Sequence, residues 1–398
     1  MHRSSLPRLH RRQRCRCRTD ARVDKTTIET AVPVALGVKV RATLPGHRAV
    51  TLTRRTRVSR FSLGTAVVVC ATVCVFNRGA AVAPVVALAA QGASTASAAD
   101  LEVLEVRPNF FMIAGAGANI GVQVGDDGVV VVDAGSSSSA SAVVGAIKRI
   151  TPKPIRYVID TGPDADHVGG NEVLSKAGDQ FYPGTRPAGA RPDALRSVAA
   201  ILAAEGVVRH MTAASESAVP ARSPVGLPNE SFHYARKYLY LNGEAIEVLH
   251  QPAAHTDSDV FAFFRRSDVV VAGDVMDTRR FPVIDIGRGG SIEGEIAALN
   301  RLADLAVPSV PIVSREAGTI VIPGHGRLCD QFDVIEYRDM VIIVRDRVRD
   351  LVNAGRSLEQ VKAAHPAKGY EGRYGKDRDW TTDKFVEAVY RSLMKEKS

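Results

Sequence analysis

The sequence predicts an α/β protein in which two sheets are covered by helices. Three observations lead there. Short apolar runs ending in small or acidic residues alternate with helix-length segments from residue 101 onward. The strand, helix, strand pattern occurs in two similar halves. Six polar residues of metal-ligating type stand just past the ends of five predicted strands.

The first half opens as a meander. Runs 110–114, 120–124 and 129–132 are strands, separated by the turns Gly115-Ala116-Gly117 and Gly125-Asp126-Asp127-Gly128. The serine run 136–139 opens a helix reaching residue 150, with hydroxyl caps expected at its start. Strand 155–159 follows. A helix begins near Asn171, and a third is expected over 193–204. Residues 206–232, rich in Pro, Ser and Ala, read as a long loop acting as a lid or substrate-facing wall.

The second half has strands at 238–241, 245–249, 260–264, 269–272 and 319–322, with a helix at 292–305 between the last two. Past Asp330 the pattern is helical. Residues 334–354 carry apolar positions at helical spacing, 358–364 form a short helix capped by Ser357, and 384–394 close the chain.

Charge separates the first hundred residues from the rest. Of 52 basic and 43 acidic residues, 17 and 3 precede Ala99, leaving 35 against 40 and a net charge of −5 beyond it, although the whole chain is at +9. Arg54, Arg55, Arg57 and Arg60 precede an apolar stretch at 61–76, and Ala96-Ser97-Ala98 offers a cleavage site, the order of an export signal. Residues 1–49 read as an over-extended gene start or a disordered tail. A periplasmic or secreted protein is expected, membrane-bound only through this segment if it stays uncleaved. The basic charge belongs to the leader, so no nucleic-acid partner is expected. Cys15, Cys17, Cys70 and Cys74 also lie there, which leaves Cys329 alone and no internal disulfide in the mature part. Three regions follow: 1–98 as basic extension and signal or anchor, 99–330 as the α/β domain, and 331–398 as a helical extension packed on it.

The residues of chemical interest are Asp133, Asp166, His167, His255, Asp274 and His325, each past a strand end and so both held by a sheet and open to solvent. Imidazole and carboxylate are ligands of zinc, iron and manganese. The hexad Gly162-Pro163-Asp164-Ala165-Asp166-His167 looks like a two-metal loop from which two histidines have been removed. Asp133 reads as a residue that orients a histidine through its ring N–H. His250 reads as a satisfied core histidine, Asp257 and Asp259 as turn or cap residues, and Cys329 as a small apolar residue in a buried turn.

The segments Val131-Val132-Asp133-Ala134-Gly135, Asp166-His167-Val168-Gly169-Gly170-Asn171, His255-Thr256-Asp257-Ser258-Asp259, Ala272-Gly273-Asp274 and Ile322-Pro323-Gly324-His325-Gly326 resemble, in that order, the metallo-β-lactamase superfamily. The resemblance implies a four-layered αββα sandwich with metals at one edge, between the halves. The family's loop reads His-x-His-x-Asp-His, and Gly162 and Asp164 stand at its first two histidines. Carried over, Asp166, His167 and His325 form one metal site, with Asp274 bridging to a second that keeps His255 and has Asp164 for a histidine. Asp274, where some lactamase relatives carry cysteine or serine, places the chain nearer the glyoxalase-II-like and quinoprotein-relay-like branches.

The expected activity is that of an exported metal-dependent hydrolase acting on a small molecule, with metal-activated water attacking an ester, thioester or amide. Asp166 is the expected catalytic group, both ligating the metal and holding the attacking water. Zinc, one or two ions, is the expected cofactor, while the hard Asp164 carboxylate leaves iron or manganese open. The rival readings are a ligand-binding protein with a degenerate centre and a redox-active di-iron centre. The second of these lacks any flavin or electron-transfer domain to work with.

Overall fold

The computed structural model describes residues 101–179, 198–213, 224–309 and 318–396. The expected basic extension, apolar leader and cleavage site lie outside these residues, as do the four leader cysteines. The first sheet has seven strands whose spatial order is their chain order. They are β1 (Glu102–Arg107), β2 (Phe110–Ala116), β3 (Ala118–Gly125), β4 (Gly128–Val132), β5 (Ile155–Ile159), β6 (Ala200–Ala204) and β7 (Glu230–Phe232). Strands β1 to β4 pair antiparallel through tight turns. From β4 to β7 the pairing is parallel, which requires crossovers, and α1 (Ala140–Ile150) supplies the first.

The second sheet runs β12-β11-β10-β9-β8. Strands β8 (Arg236–Leu241), β9 (Glu244–Gln251), β10 (Asp259–Phe264) and β11 (Val269–Asp277) form an antiparallel meander. Strand β12 (Ile320–His325) returns parallel to β11 after α5 (Ile292–Leu305). Helix α5 starts where Ser291 Oγ accepts from Gly294 N at 3.0 Å.

Side-chain alternation along the strands builds the layers. Val130 and Val132 of β4 face one way, into a cluster shared with Ile246, Val260, Phe264, Val271 and Ile322 of the other sheet. Val129 and Val131 face the opposite way, onto Ala140, Val143 and Ile147 of α1 and Leu174 of α3 (Asn171–Lys176), which follows the single-turn α2 (Ala165–Val168). In β11 the same division holds, since Val269 and Val271 point between the sheets while Val270 and Ala272 pack under α5. Helices, sheet, sheet and helices make the four-layered αββα sandwich.

Beyond Asp330 come α6 (Gln331–Asn353), α7 (Leu358–Ala363), α8 (Glu371–Tyr374) and α9 (Thr382–Lys395). Asp330 and Asp333 form a capping box at α6, and Ser357 and Gln360 form one at α7. Val334, Tyr337, Val341, Phe385 and Val389 join the apolar cluster beneath α5. Ser392 Oγ also accepts from Ile292 N at 3.0 Å, tying α9 to the start of α5. No helix among the described residues is long and apolar enough to cross a membrane.

The structure departs from expectation in four places. Ala200–Ala204, expected to end a helix, is strand β6, and every residue of it is buried between β5 and β7. A parallel strand covered on both faces is a continuous apolar run, so periodicity could not separate it from a helix. The expected loop at 206–232 instead contains α4 (Glu205–Thr212), with Val207 buried between the sheets, and it ends in β7; residues 214–223 lie outside the described residues. Ser139 precedes α1 without a side-chain cap bond, because Ser136 Oγ binds the hydroxyls of Ser138 and Ser139 at 3.1 and 3.0 Å. Strand β1 had no counterpart among the predicted runs, as its alternation of acidic and apolar residues is that of an edge.

Glu295 is fully buried on α5, and neither carboxylate oxygen has a hydrogen-bond partner. Burial, reinforced by the Asp259 and Asp274 charges, pushes its carboxyl well above the usual range, against the pull of His255. The folded chain then keeps a proton that the unfolded chain releases near its ordinary value of about 4.3, so stability falls as pH rises above that point. Glu295→Leu should raise stability at pH 8 by about 1–3 kcal/mol and flatten the fall in melting temperature between pH 5 and 8. Thermal melts of both proteins across that range check this, and an equal fall in the two would count against it.

Candidate metal centre

Asp133 follows β4 in the left-handed region at φ 65° and is fully buried. Its Oδ1 accepts from Thr161 N at 2.8 Å, and its Oδ2 accepts from Thr161 Oγ1 at 2.7 Å and from His167 Nδ1 at 2.9 Å. An ionised carboxylate only accepts, so the proton on His167 is assigned to Nδ1. In the neutral ring, Nε2 then presents a lone pair, which is the orienting role expected of Asp133.

That lone pair points into a cluster. His167 Nε2 lies 3.2 Å from Asp274 Oδ1, and His325 Nε2 lies 3.3 Å from the same oxygen and 3.2 Å from Asp166 Oδ2. Two ligands of a tetrahedral ion with bonds of about 2.0–2.1 Å stand about 3.3 Å apart, so these separations suit groups around one cation. His167 Nε2, His325 Nε2 and Asp274 Oδ1 are buried and have no hydrogen-bond partner. Buried polar atoms are ordinarily satisfied, so three orphans converging on one point fit a metal ion.

The electrostatics agree. Burial lowers the His167 pKa, yet the Asp274 and Asp133 carboxylates drive it well above the usual imidazole value. Against the same burial, the adjacent Asp166 and Asp274 carboxylates lift His325 to about 9. Burial raises Asp274, and His167 with His325 and His255 pulls it well below the carboxylate range. Asp166 is likewise raised by burial and lowered further by His325 and His167. The carboxylates are thus ionised and the imidazoles hold protons that a cation can replace.

Two glycines let the groups meet. Gly273 has φ +56°, and a Cβ there would sit 2.6 Å from Thr161 Oγ1. A Cβ on Gly324 would lie 2.5 Å from Asp274 Oδ1. A register shift between Gly273 and Asp277 of β11, opposite Pro323 and His325 of β12, brings Asp274 beside His325.

The second trio, Asp164, His255 and Asp274, is built differently. His255 Nδ1 donates to the Val283 carbonyl at 2.7 Å, and Nε2 stands 2.7 Å from Asp164 Oδ2. The other Asp164 oxygen accepts from Arg288 Nη2 at 2.8 Å, and Arg288 Nε donates to Asp285 Oδ2 at 2.6 Å. Asp274 Oδ2 is 3.9 Å from His255 Nε2. Burial raises the Asp164 carboxyl, but the His255 contact, aided by Arg288, holds it at about 2. His255, lowered by burial, is carried to about 10 by its carboxylate neighbours, Asp164 foremost. Gly162 is not forced to be glycine, because a Cβ there would meet only Asp259 Oδ1, at an ordinary 3.5 Å.

The structure thus gathers all six expected ligand residues, in two trios that share an edge at Asp274. Thr161, Val283, Asp285 and Arg288 were not foreseen. Asp285 and Arg288 flank a short 3-10 turn, Ile286–Arg288, with no sequence signal linking it to the hexad. His250 is half-buried, and its Nε2 donates to the Asp257 carbonyl at 2.9 Å. Asp259 accepts from Thr256 N and Oγ1 at 2.6 and 2.9 Å, and Cys329 is buried in a backbone bridge to Val321, with its thiol raised to about 12 by burial.

Residues 114–180, which include Asp133 and the hexad, match the sequence profile of the metallo-beta-lactamase superfamily. Among solved structures, the stereoselective inverting sec-alkylsulfatase Pisa1 from Pseudomonas sp. shares the fold with a TM-score of 0.52 and 19% identity, over 73% of this chain and 50% of that one. A double mutant of that sulfatase gives 0.54 and 17%, over 74% and 50%. This chain thus spans about half the length of the alkylsulfatase. A metallo-beta-lactamase from Pontibacter korlensis matches at 0.45 and 16%, over 61% of this chain and 98% of that one. No curated protein matches the sequence.

If Asp133 fixes the His167 ring, Asp133→Ala should weaken divalent-metal binding by about 10–100-fold, and Asp133→Asn by less, while both still melt cooperatively. Competition titrations with zinc read the affinity. Wild-type affinity in a folded Asp133→Ala would remove Asp133 from this role.

Proposed function

We propose that this chain, which carries the metallo-beta-lactamase superfamily segment at 114–180 and the αββα fold, is a metal-dependent hydrolase of a small-molecule ester, thioester or amide. The observation that carries the reading is the convergence of His167 Nε2, His325 Nε2 and Asp274 Oδ1, buried and unpartnered, at 3.2–3.3 Å spacing. Asp166, His167, Asp274 and His325 would hold the ion. Two imidazoles and two carboxylates suit zinc, with iron or manganese able to use the same donors. A bound divalent cation would supply Lewis acidity and lower the pKa of water.

The protein's own groups divide the remaining work. His167 is 1% exposed and His325 5%, whereas the Asp166 side chain is 39% exposed, so Asp166 is the member that faces an incoming substrate. His325 and His167 outweigh burial and lower its pKa, so it is ionised at neutral pH and can accept the hydrogen bond that holds attacking water. Asp133 and Thr161 keep the His167 ring from turning. The export signal read at residues 54–98 would place the reaction in the periplasm or outside the cell, a proposal that rests on sequence alone.

A ligand-binding protein on the same scaffold is the second reading, favoured by Gly162 and by the direct Asp164–His255 contact. Elemental analysis of the full chain, with a panel of carboxylic ester, thioester, lactone, β-lactam and secondary alkyl sulfate substrates, separates the two. Stoichiometric metal with turnover is expected. Metal and turnover should both drop to background in Asp166→Ala and His325→Ala, and unchanged metal content in both variants would overturn the assignment.

A further inference from the structure

The two trios differ in a way that the family pattern does not anticipate. In the Asp166, His167, Asp274 and His325 cluster the donor atoms meet at 3.2–3.3 Å, His167 and His325 on Asp274 and His325 on Asp166, and three of these atoms are buried without partners. Around Asp164 and His255 no such atom occurs among the described residues. Both His255 ring nitrogens face oxygen acceptors, Val283 O and Asp164 Oδ2. Both Asp164 oxygens are engaged, by His255 and by Arg288. The 2.7 Å between His255 Nε2 and Asp164 Oδ2 is a hydrogen-bond length, well short of the about 3.3 Å that separates two ligands of one tetrahedral ion.

Charge tells the same story. Asp285, Arg288, Asp164 and His255 touch in that order, anion and cation alternating. His255 ends this chain of contacts with each ring nitrogen 2.7 Å from an oxygen. The other cluster sets Asp166 and Asp274, with Asp133 behind His167, against two imidazoles, and no guanidinium lies within salt-bridge distance of these carboxylates among the described residues.

We infer that the chain holds one metal ion, in the Asp166–His167–Asp274–His325 cluster, and that an internal ion chain closed by Arg288 occupies the place of the second. This rests on the function proposed above, and deepens it. Arg288 is a positioning residue: its guanidinium engages the Asp164 oxygen that His255 leaves open, so Asp164 is a structural anion and not a ligand. Gly162 fits the same account. It contributes no ligand, and the space beside it is bounded by Asp259.

The test is metal stoichiometry and affinity of the full chain titrated with zinc alone, read by calorimetry and by elemental analysis after dialysis. Wild type should bind one zinc. Asp164→Ala and the milder Asp164→Asn should also bind one, with affinity within about threefold of wild type, while Asp166→Ala should bind none; circular dichroism and a cooperative melt establish that each variant is folded. Arg288→Met, which frees one Asp164 oxygen and uncovers its charge, should gain a second and weaker zinc. Two zinc ions in wild type, with one lost in Asp164→Ala, would overturn this inference and leave the hydrolase reading standing. No zinc in wild type would overturn both. A folded Arg288→Met that still binds only one zinc would overturn the role given to Arg288.

Discussion

The hydrogen bonds that Asp133 accepts from His167 Nδ1 and from Thr161 hold the centre together. They join the end of β4 to the loop after β5, two adjacent parallel strands, so the rigidity of the sheet passes directly to an imidazole. Because Asp133 is fully buried and only accepts, it decides which ring nitrogen keeps the proton and therefore which one faces the cluster. The other members are placed against that fixed nitrogen. Asp274 reaches it from a bulge in β11, and His325 comes from the end of the parallel β12, so the site lies where the ends of both sheets meet.

The two trios illustrate how similar residues produce different sites. Each offers histidine and aspartate within reach of Asp274, and composition does not tell them apart. Spacing does. In one, nitrogen and carboxylate oxygen atoms confront each other at 3.2–3.3 Å, which is repulsive unless a proton or a metal cation intervenes; in the other, contacts of 2.7–2.8 Å join His255 and Arg288 to Asp164. A guanidinium makes that difference. It is permanently charged, presents several donors in a fixed fork, and here spans Asp164 and Asp285 at once.

The elements read correctly from sequence share a physical trait. Runs such as those in β4, β10 and β11 are β-branched or aromatic, and α5, α6 and α7 carry real N-cap residues in Ser291, Asp330 and Ser357. Where local chemistry is ambiguous the reading failed. The alanines of β6 favour helix by composition, and only burial between β5 and β7 makes them a strand. The serines before α1 have the right chemistry for a cap and spend it on each other, because hydroxyls two and three residues apart compete with the backbone N–H groups.

For the site itself, the chain order of Asp133, Asp166, His167, His255, Asp274 and His325 at strand ends was enough to nominate the residues and their chemistry. Periodicity and turn residues are local properties, and the sheet ends they define converge in this fold class. What Asp164 does could not be settled that way. Its environment is made by Arg288, 124 residues further along the chain, and by a His255 already engaged by a backbone carbonyl. Such contacts depend on how separate loops come together over the sheet edge, which no local pattern encodes. The sequence alone determined which groups could bind metal, and the tertiary structure decided which of them are already bound to each other, because a 2.7 Å contact and a 3.2 Å one differ only in three dimensions.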